Sequence, residues 1–519
     1  MRKGWLVLSL GLCLPALSGA DPSALTSYSA PKFISFKDLL RLAETATPEG
    51  DLDIQLRRVL HTPFVSNEAW YRGARPRRPA GDGIGPVLRA VQWNISGGAR
   101  LDLIKLAFTS PAAFEAESAK NGELSSDALL HIRKQIELLQ NADVVILNEV
   151  DLGMGRTEYG DIARELAQAL DMNYAYGVEF VEVDKLELGL AHTELEDPDL
   201  QAELVKQLEV NPDRYRGLHG SAILSRYPIR NAHVHRLVTC YDWYGKEKQA
   251  IAELEKGKRM AASRVFLARI ARELRHGNRI ALIADIEVPE SPTGLVTVAS
   301  AHLENKCPPE CRRAQMADLL LVLKDVANPV IIGGDLNTTG HDAAPTSIRL
   351  EISKRLKNPD FWIRQILFRF ASPTAIPEAL LLPTNYFKNF YDPTARDVPL
   401  FASNREAGLF RALERFRFRD GYAFDFRGGK TLANSNERAL KGFKPTFEFE
   451  RDYGGLMGAF KLDWFLIKPF VRSPRERKGS TYFAPVRAHT LSEMNRAIPD
   501  RRISDHAPIV VDLRLEPDK

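Results

Sequence analysis

At 519 residues, 44% hydrophobic and 27% charged, the chain has the composition of a globular protein with ample material for a large core, which excludes a disordered or fibrous chain. A formal net charge of +4 gives no global nucleic-acid signature, so any recognition of a polyanion has to be local. In chain order, Arg2 and Lys3 precede the apolar run Trp5 to Leu17, and Ser18-Gly19-Ala20 follows it, the order of a secretory signal peptide over residues 1–20. That run is too short to span a membrane. Leu12, before Cys13, is too large for a lipoprotein cleavage site, and no later segment reaches spanning length. The expectation is an exported protein, periplasmic or secreted, with no transmembrane segment after processing. Cys240, Cys307 and Cys311 then remain: export permits disulfides and CPPEC can close a small loop, but an odd count leaves one thiol over. A zinc site is not expected, since no second CxxC or HxxxH stands near.

Residues 21–87 read as a leader segment with one helix at 36–44 and the loop-like ARPRRPAGDGIGP at 74–86. Regular structure is predicted from 88 onward. LRAVQWNISGG, 88–98, is a strand ending in glycines, and SSDALLHIRKQIELLQNA, 125–142, is a helix opened by a Ser/Asp cap. DVVILNEV, 143–150, is a near-continuous apolar strand of the kind buried on both faces. A helix at 159–170 follows, then strands near 173–182, 219–226, 279–287 and 294–302, with a long amphipathic helix at 245–276 between them. A helix near 309–326 leads into the strand PVIIGGD, 329–335, and the alternation of Ala507, Ile509, Val511 and Leu513 predicts a last, half-buried strand. Strands and helices alternate without internal repeats, which argues for one large mixed domain.

The ends of these strands carry the chemistry. Asn94, Glu149, His302, Asp335 with Asn337, Asp463 inside FKLDWFLIKP, and His506 each stand where a strand starts or stops. Each has a plain structural explanation: Asn and Asp cap turns, Asp463 can pair with Lys461, and His506 can be a satisfied surface histidine. Seven such positions in one domain point instead to a site. A strand like DVVILNEV can end in a buried Glu only where something cationic meets it. Magnesium fits, because it takes oxygen ligands, one or two of them carboxylates, and leaves the rest of its shell to water and phosphate. Phosphate ester cleavage further needs an activated water and in-line geometry: His506 can take a proton if Asp463 fixes its other ring nitrogen, Asp335 with Asn337 can orient the water, and His302 can donate to the phosphate.

QWNISGG, ILNEVD, HGSAILSRYPI, ASAHLEN, IIGGDLN, KLDWFLI and SDHAPIVVDL, in this order, resemble the successive motifs of the endonuclease/exonuclease/phosphatase superfamily, related to pancreatic deoxyribonuclease. The resemblance runs from about 88 to 514; GDLN together with SDHAP is specific, whereas HLE or NEV alone is weak. It implies an α+β fold, a four-layer αββα sandwich of two packed mixed β-sheets, with the site where strand ends of both sheets converge. It further implies Glu149 and Asn94 at the divalent metal, Mg2+ with Mn2+ as a substitute, with Asp505 touching a second metal. His302 and Asn337 fall on the phosphate, and Asp335, Asp463, His506 and His302 in catalysis. Asn148 stands where the family usually has Gln, and Ser221 where it often has Asn; neither removes a charge or a base. His302 is the residue of the sphingomyelinase-like and deoxyribonuclease-like branches.

Two insertions set the chain apart, 245–276 and 340–410. Residues 341–450 hold 18 of the 45 aromatics and 18 basic against 13 acidic residues, so the second insertion is the basic, aromatic part of the chain. Aromatics beside arginines in FWIRQILFRF, 361–370, suit base stacking or a membrane-surface contact, and equally a helical pack over a sheet edge. The function expected is an exported, magnesium-dependent phosphodiesterase, with a nuclease placed first. A phospholipid or sphingomyelin phosphodiesterase comes next and an inositol or sugar phosphate phosphatase third. The remaining alternative is a silent binding protein on the same fold.

Overall fold

The structure, a computed structural model, describes residues 32–81, 84–120, 125–184, 188, 210–249, 274–338, 394, 406–427, 434–439, 442–448, 459–471, 481–498 and 502–516. The expected signal peptide, residues 250–273 of the first insertion and nearly all of the second lie outside the described residues.

The described helices are α1 Phe36–Glu44, α2 Gly50–His61, α3 Glu68–Tyr71, α4 Leu101–Thr109, α5 Pro111–Ala119, α6 Ser126–Gln140, α7 Ile162–Leu170, α8 Pro309–Leu323, α9 Ala407–Arg415 and α10 Ser492–Asn495, besides a 3-10 turn at Gly155–Thr157. The strands are β1 Phe64–Ser66, β2 Ala80–Gly81, β3 Gly85–Gly97, β4 Val144–Leu152, β5 Asn173–Glu182, β6 Leu218–Ser225, β7 Ile229–Arg236, β8 Arg275–Gly277, β9 Ile280–Glu287, β10 Leu295–Ala301, β11 Val330–Asp335, β12 Asp463–Lys468, β13 Pro485–Thr490 and β14 Ile509–Arg514, besides short ribbons. One sheet runs β1-β5-β6-β4-β3-β14-β13, and a second runs β12-β11-β10-β9-β7. Both are mixed: β3 pairs β4 and β10 pairs β11 in parallel, the other pairings along these paths being antiparallel.

Three apolar clusters define four layers. Leu88, Val144, Ile146 and Ile223 of the first sheet meet Leu282, Val298, Ile331 and Phe465 of the second between the sheets. Helices α1, α2, α4, α6 and α7 cover the outer face of the first sheet, and α8 and α9 cover the second. The expected αββα sandwich is therefore present. The capped helix over 126–140 also holds, since Ser125 accepts from the Ala128 N–H at 3.2 Å. Gly333 and Gly334 mark the closest approach near the site: a Cβ on Gly334 would stand 1.8 Å from the Ala301 carbonyl oxygen, and one on Gly333 2.8 Å from Ile146.

Two expectations change, and two alternatives left open fall. The segment expected as a leader is built into the first sheet: β1 pairs β5, and α2 buries Leu52, Leu56, Val59 and Leu60. The expected helix 245–276 does not reach its end, because β8 runs extended along β5 with Gly277 at φ 126, where a Cβ would stand 2.1 Å from the Glu179 carbonyl oxygen. CPPEC does not close its small loop, since Cys311 pairs with Cys240 and leaves Cys307 buried and free. With 71 residues between its ends, this bridge restricts the unfolded chain by about 4 kcal/mol in the loop-entropy description. Nor does Asp463 pair with Lys461, whose amine lies 5.1 Å from the centroid of the Trp464 ring: burial brings it down to about 7, with Asp463 and Glu437 pulling the other way. Among the described residues no helix is long and apolar enough to cross a membrane.

Candidate active site

Glu149 leaves an otherwise buried strand through a β-bulge. Asn148 and Glu149 together oppose the single residue Ser221 of β6, and Glu149 takes φ 52, which swings its side chain out of the ladder to the mouth between the sheets. Ser96 (φ 50) and Asn337 (φ 48), just past Asn94 and Asp335, are also left-handed, so three site strands carry the same uncommon backbone at or beside a site residue.

His506 precedes β14 and is positioned from both sides. Ser504 Oγ donates to the Asn94 carbonyl at 2.7 Å and accepts the His506 N–H at 3.1 Å, while Trp93 Nε1 donates to the His506 carbonyl at 2.9 Å. The expected dyad is formed: Nδ1 lies 2.8 Å from Asp463 Oδ2, and Nε2 lies 3.7 Å from Asp335 Oδ2. Asp463 is further held by donation from Gln92 Nε2 at 3.0 Å and from its own N–H to Thr446 Oγ1 at 3.0 Å. Burial alone would push the imidazole pKa down; the Asp463 and Asp335 carboxylates outweigh it and hold it well above the usual histidine range. The two carboxylates move apart. Burial, with Asp463 as a like charge, raises Asp335, whereas His506 and the hydrogen bonds that Asp463 makes with Thr446 and Gln92 overcome burial and lower Asp463.

Asp335 is aimed by the Asn337 N–H, 2.8 Å from Oδ1, and by Asn94 Nδ2, 3.2 Å from Oδ2. Asn337 itself donates to the Leu303 carbonyl at 2.9 Å, which ties it to the loop carrying His302. His302 Nε2 lies 3.9 Å from both Glu149 Oε1 and Asp335 Oδ2, so it stands between them. The sequence residues of both sheets thus converge on one mouth.

Two supporting groups escaped the sequence. Glu179, the unpaired bulge residue of β5, places Oε2 3.2 Å from His302 Nδ1 and 2.9 Å from Arg279 Nη1, and its Oε1 accepts from Ser221 Oγ at 2.7 Å. Burial would raise Glu179; His302 and Arg279 overcome it and hold the carboxylate ionised. On the other side of Glu149, His219 Nδ1 lies 2.8 Å from Asp151 Oδ1.

Asn148 does not face substrate. Its Oδ1 accepts from Gln92 Nε2 at 3.2 Å and the Asp335 N–H at 2.9 Å, and its Nδ2 donates to Ser221 Oγ at 3.2 Å and Ser300 Oγ at 3.0 Å. One buried amide therefore bolts the sheets together beneath the site. Asn148→Ala is expected to lower stability by about 2–4 kcal/mol, because it strips the acceptor from two buried donors and leaves a cavity, and urea unfolding measures it.

The donor set suits a hard divalent cation. Burial would raise Glu149, but the His302, His219 and His506 imidazoles and Arg279 overcome it and keep the carboxylate ionised. Asp505 is raised by burial and by the like charges of Glu149 and Asp335. Carboxylates that repel one another at the mouth of a cleft are the oxygen set that magnesium or manganese takes. Asp335, Asp463 and His506 also offer ligand atoms within 4.8 Å of one another, yet the Asp463–His506 hydrogen bond satisfies that pair without an ion.

The sequence profile of the Endonuclease/Exonuclease/phosphatase family matches residues 91–506. No curated protein matches the chain significantly. Among solved structures, the chain is similar to an endonuclease/exonuclease/phosphatase from Beutenbergia cavernae DSM 12333, with 16% identity, 83% of this chain and 72% of that one covered, and a TM-score of 0.36. It is also similar to the human Nocturnin catalytic domain with bound sulfate (15% identity, 82% and 93% covered, TM-score 0.33). A 3′-5′ exonuclease from Neisseria meningitidis is similar at 13% identity, with 82% and 99% covered and a TM-score of 0.36.

Proposed function

Because the chain belongs to the endonuclease/exonuclease/phosphatase family, whose members hydrolyse phosphoric esters, we propose that it is an exported, magnesium-dependent phosphodiesterase with nucleic acid as its first candidate substrate. The observation that carries this reading is the placement of His506 between Asp463 and Asp335, facing Glu149 and His302 across one mouth. Glu149 and Asp505, with Asn94 beside them, are the residues that would hold the metal, which when bound neutralises charge on the phosphate oxygens.

The protein groups divide the proton work. Asp335, with a raised pKa and both oxygens aimed by Asn337 and Asn94, takes the proton of the attacking water. His506, kept protonated by two carboxylates, donates Nε2–H to a phosphate oxygen rather than acting as the base first expected of it. His302, backed by Glu179, donates to the phosphate from the Glu149 side, and Asn337 holds a further oxygen. The Cys240–Cys311 bridge supports export, since such bridges persist in oxidising compartments.

A panel of plasmid DNA, RNA, sphingomyelin, inositol phosphates and bis(p-nitrophenyl) phosphate, each with magnesium and with EDTA, tests the reading. Hydrolysis of diesters that stops with EDTA supports it. Action on monoesters alone would make the chain a phosphatase, and action on nothing would leave the binding-protein alternative.

A further inference from the structure

His219 lies at the start of β6 on the same face as Ser221, whose hydroxyl supports Glu179, so its imidazole opens toward the same mouth. Nδ1 is engaged by Asp151, with Arg156 Nη2 3.4 Å away, and among the described residues no hydrogen bond engages Nε2. Asp151 is itself anchored by Arg156 at 2.7 and 2.9 Å, and Arg156 by Glu182, so the ring is fixed by its own network. Asp151 and Glu182 overcome the burial penalty and raise the imidazole pKa.

Strand order gives this histidine a direction. The first sheet runs β6, β4, β3, β14, so His219 and His506 flank Glu149 from opposite sides. Neighbouring strands lie about 4.8 Å apart, which separates the two backbones by roughly 14 Å. Displacement at phosphorus is in line, with water and leaving oxygen on opposite sides. With Asp335 and His506 on the side of attack, the leaving group projects past His302 toward β6.

The aromatic rings beyond His219 narrow what can lie there. Phe180 stacks on His219 at 6.5 Å, and Arg275 sits between Phe180 (4.2 Å) and Trp243 (3.7 Å), while Lys306 covers Trp243 at 4.1 Å. A choline head group binds on free aromatic faces, and these faces already carry the protein's own cations.

We propose that His219, held by Asp151, receives a second phosphate of the substrate on the leaving-group side of the scissile ester, so that the substrate is a strand of repeated phosphodiesters rather than a phospholipid. This rests on the hydrolytic site proposed above. His219 is a binding and specificity residue: it adds nothing to the bond that breaks and fixes which side of the substrate departs over β6.

The test compares wild type, His219→Ala and His219→Gln by calorimetry against thymidine 3′,5′-bisphosphate and thymidine 5′-monophosphate, with magnesium and again with EDTA. It adds hydrolysis of a trinucleotide and of bis(p-nitrophenyl) phosphate, which has no second phosphate. Wild type should prefer the bisphosphate about tenfold, the value of one charge-assisted contact, and His219→Ala should abolish that preference. KM for the trinucleotide should rise about tenfold more than that for bis(p-nitrophenyl) phosphate, which loses only the smaller effect of the His219 charge beside Glu149, and His219→Gln should recover part of the trinucleotide loss. An unchanged bisphosphate preference, or equal loss on both diesters, overturns the proposal, the latter because it marks a purely structural role through Asp151. If wild type hydrolyses neither diester, the proposed function fails, and the two thymidine phosphates still decide the role of His219.

Discussion

Glu149→Gln is expected to abolish measurable magnesium binding and to lower turnover by on the order of 10³, with a folded protein that melts close to wild type. The carboxylate sits in a bulge at the mouth and makes no hydrogen bond on which the sheet depends among the described residues. Its ionised form is maintained by three imidazoles and Arg279 against the cost of burial, the charge state that the proposed cation needs. Glutamine keeps the shape and removes the charge. Calorimetric titration with magnesium reads the first expectation and diester hydrolysis the second; a variant that binds magnesium like wild type would return Glu149 to a structural role.

The second large effect belongs to the Asp463–His506 pair. His506→Ala and Asp463→Asn should each cost about 10²–10⁴ in turnover, and the double variant should be little worse than His506→Ala alone, because a positioned acid and its orienter act as one unit. Losses that multiply would mean the two residues work separately. A pH profile separates charge from shape. Asp463 raises the His506 pKa, so wild type keeps the protonated ring active well above the usual histidine range and loses activity only as pH rises through that raised value. Removing the Asp463 charge lowers that pKa, and Asp463→Asn should move the alkaline limb to lower pH. The acid limb, set by Asp335 with its raised pKa, falls as pH drops through a value above that of an ordinary carboxylate.

The site residues at strand ends were legible because each breaks a local pattern: a charge or amide interrupts an apolar run such as DVVILNEV or PVIIGGD, and the sandwich brings those interruptions together. Glu179 breaks the same kind of pattern inside NYAYGVEFVE, but a single charge in a strand reads equally as one exposed position. Only the second sheet, packed over β5, shows that position to be buried. His219 hid for another reason, since its partner Asp151 lies on a neighbouring strand and no local spacing joins them. Helix α2 was within reach, with Leu52, Leu56, Val59 and Leu60 at helical spacing, yet it lacks a capping side chain. Strand β1 and the Cys240–Cys311 bridge were not within reach, because pairing across more than a hundred residues, or a choice among three thiols, depends on tertiary position.

In the proposed mechanism Asp335 delivers one water in line to phosphorus while His506 donates to a phosphate oxygen. Hydrolysis of a single chiral phosphorothioate diester in water enriched in oxygen-18 tests it most directly. One labelled oxygen is expected in the phosphorus-containing product, none in the released alcohol, and inversion of configuration at phosphorus. Label in the alcohol would place cleavage at carbon, and retention at phosphorus would require a covalent intermediate; either result would contradict it.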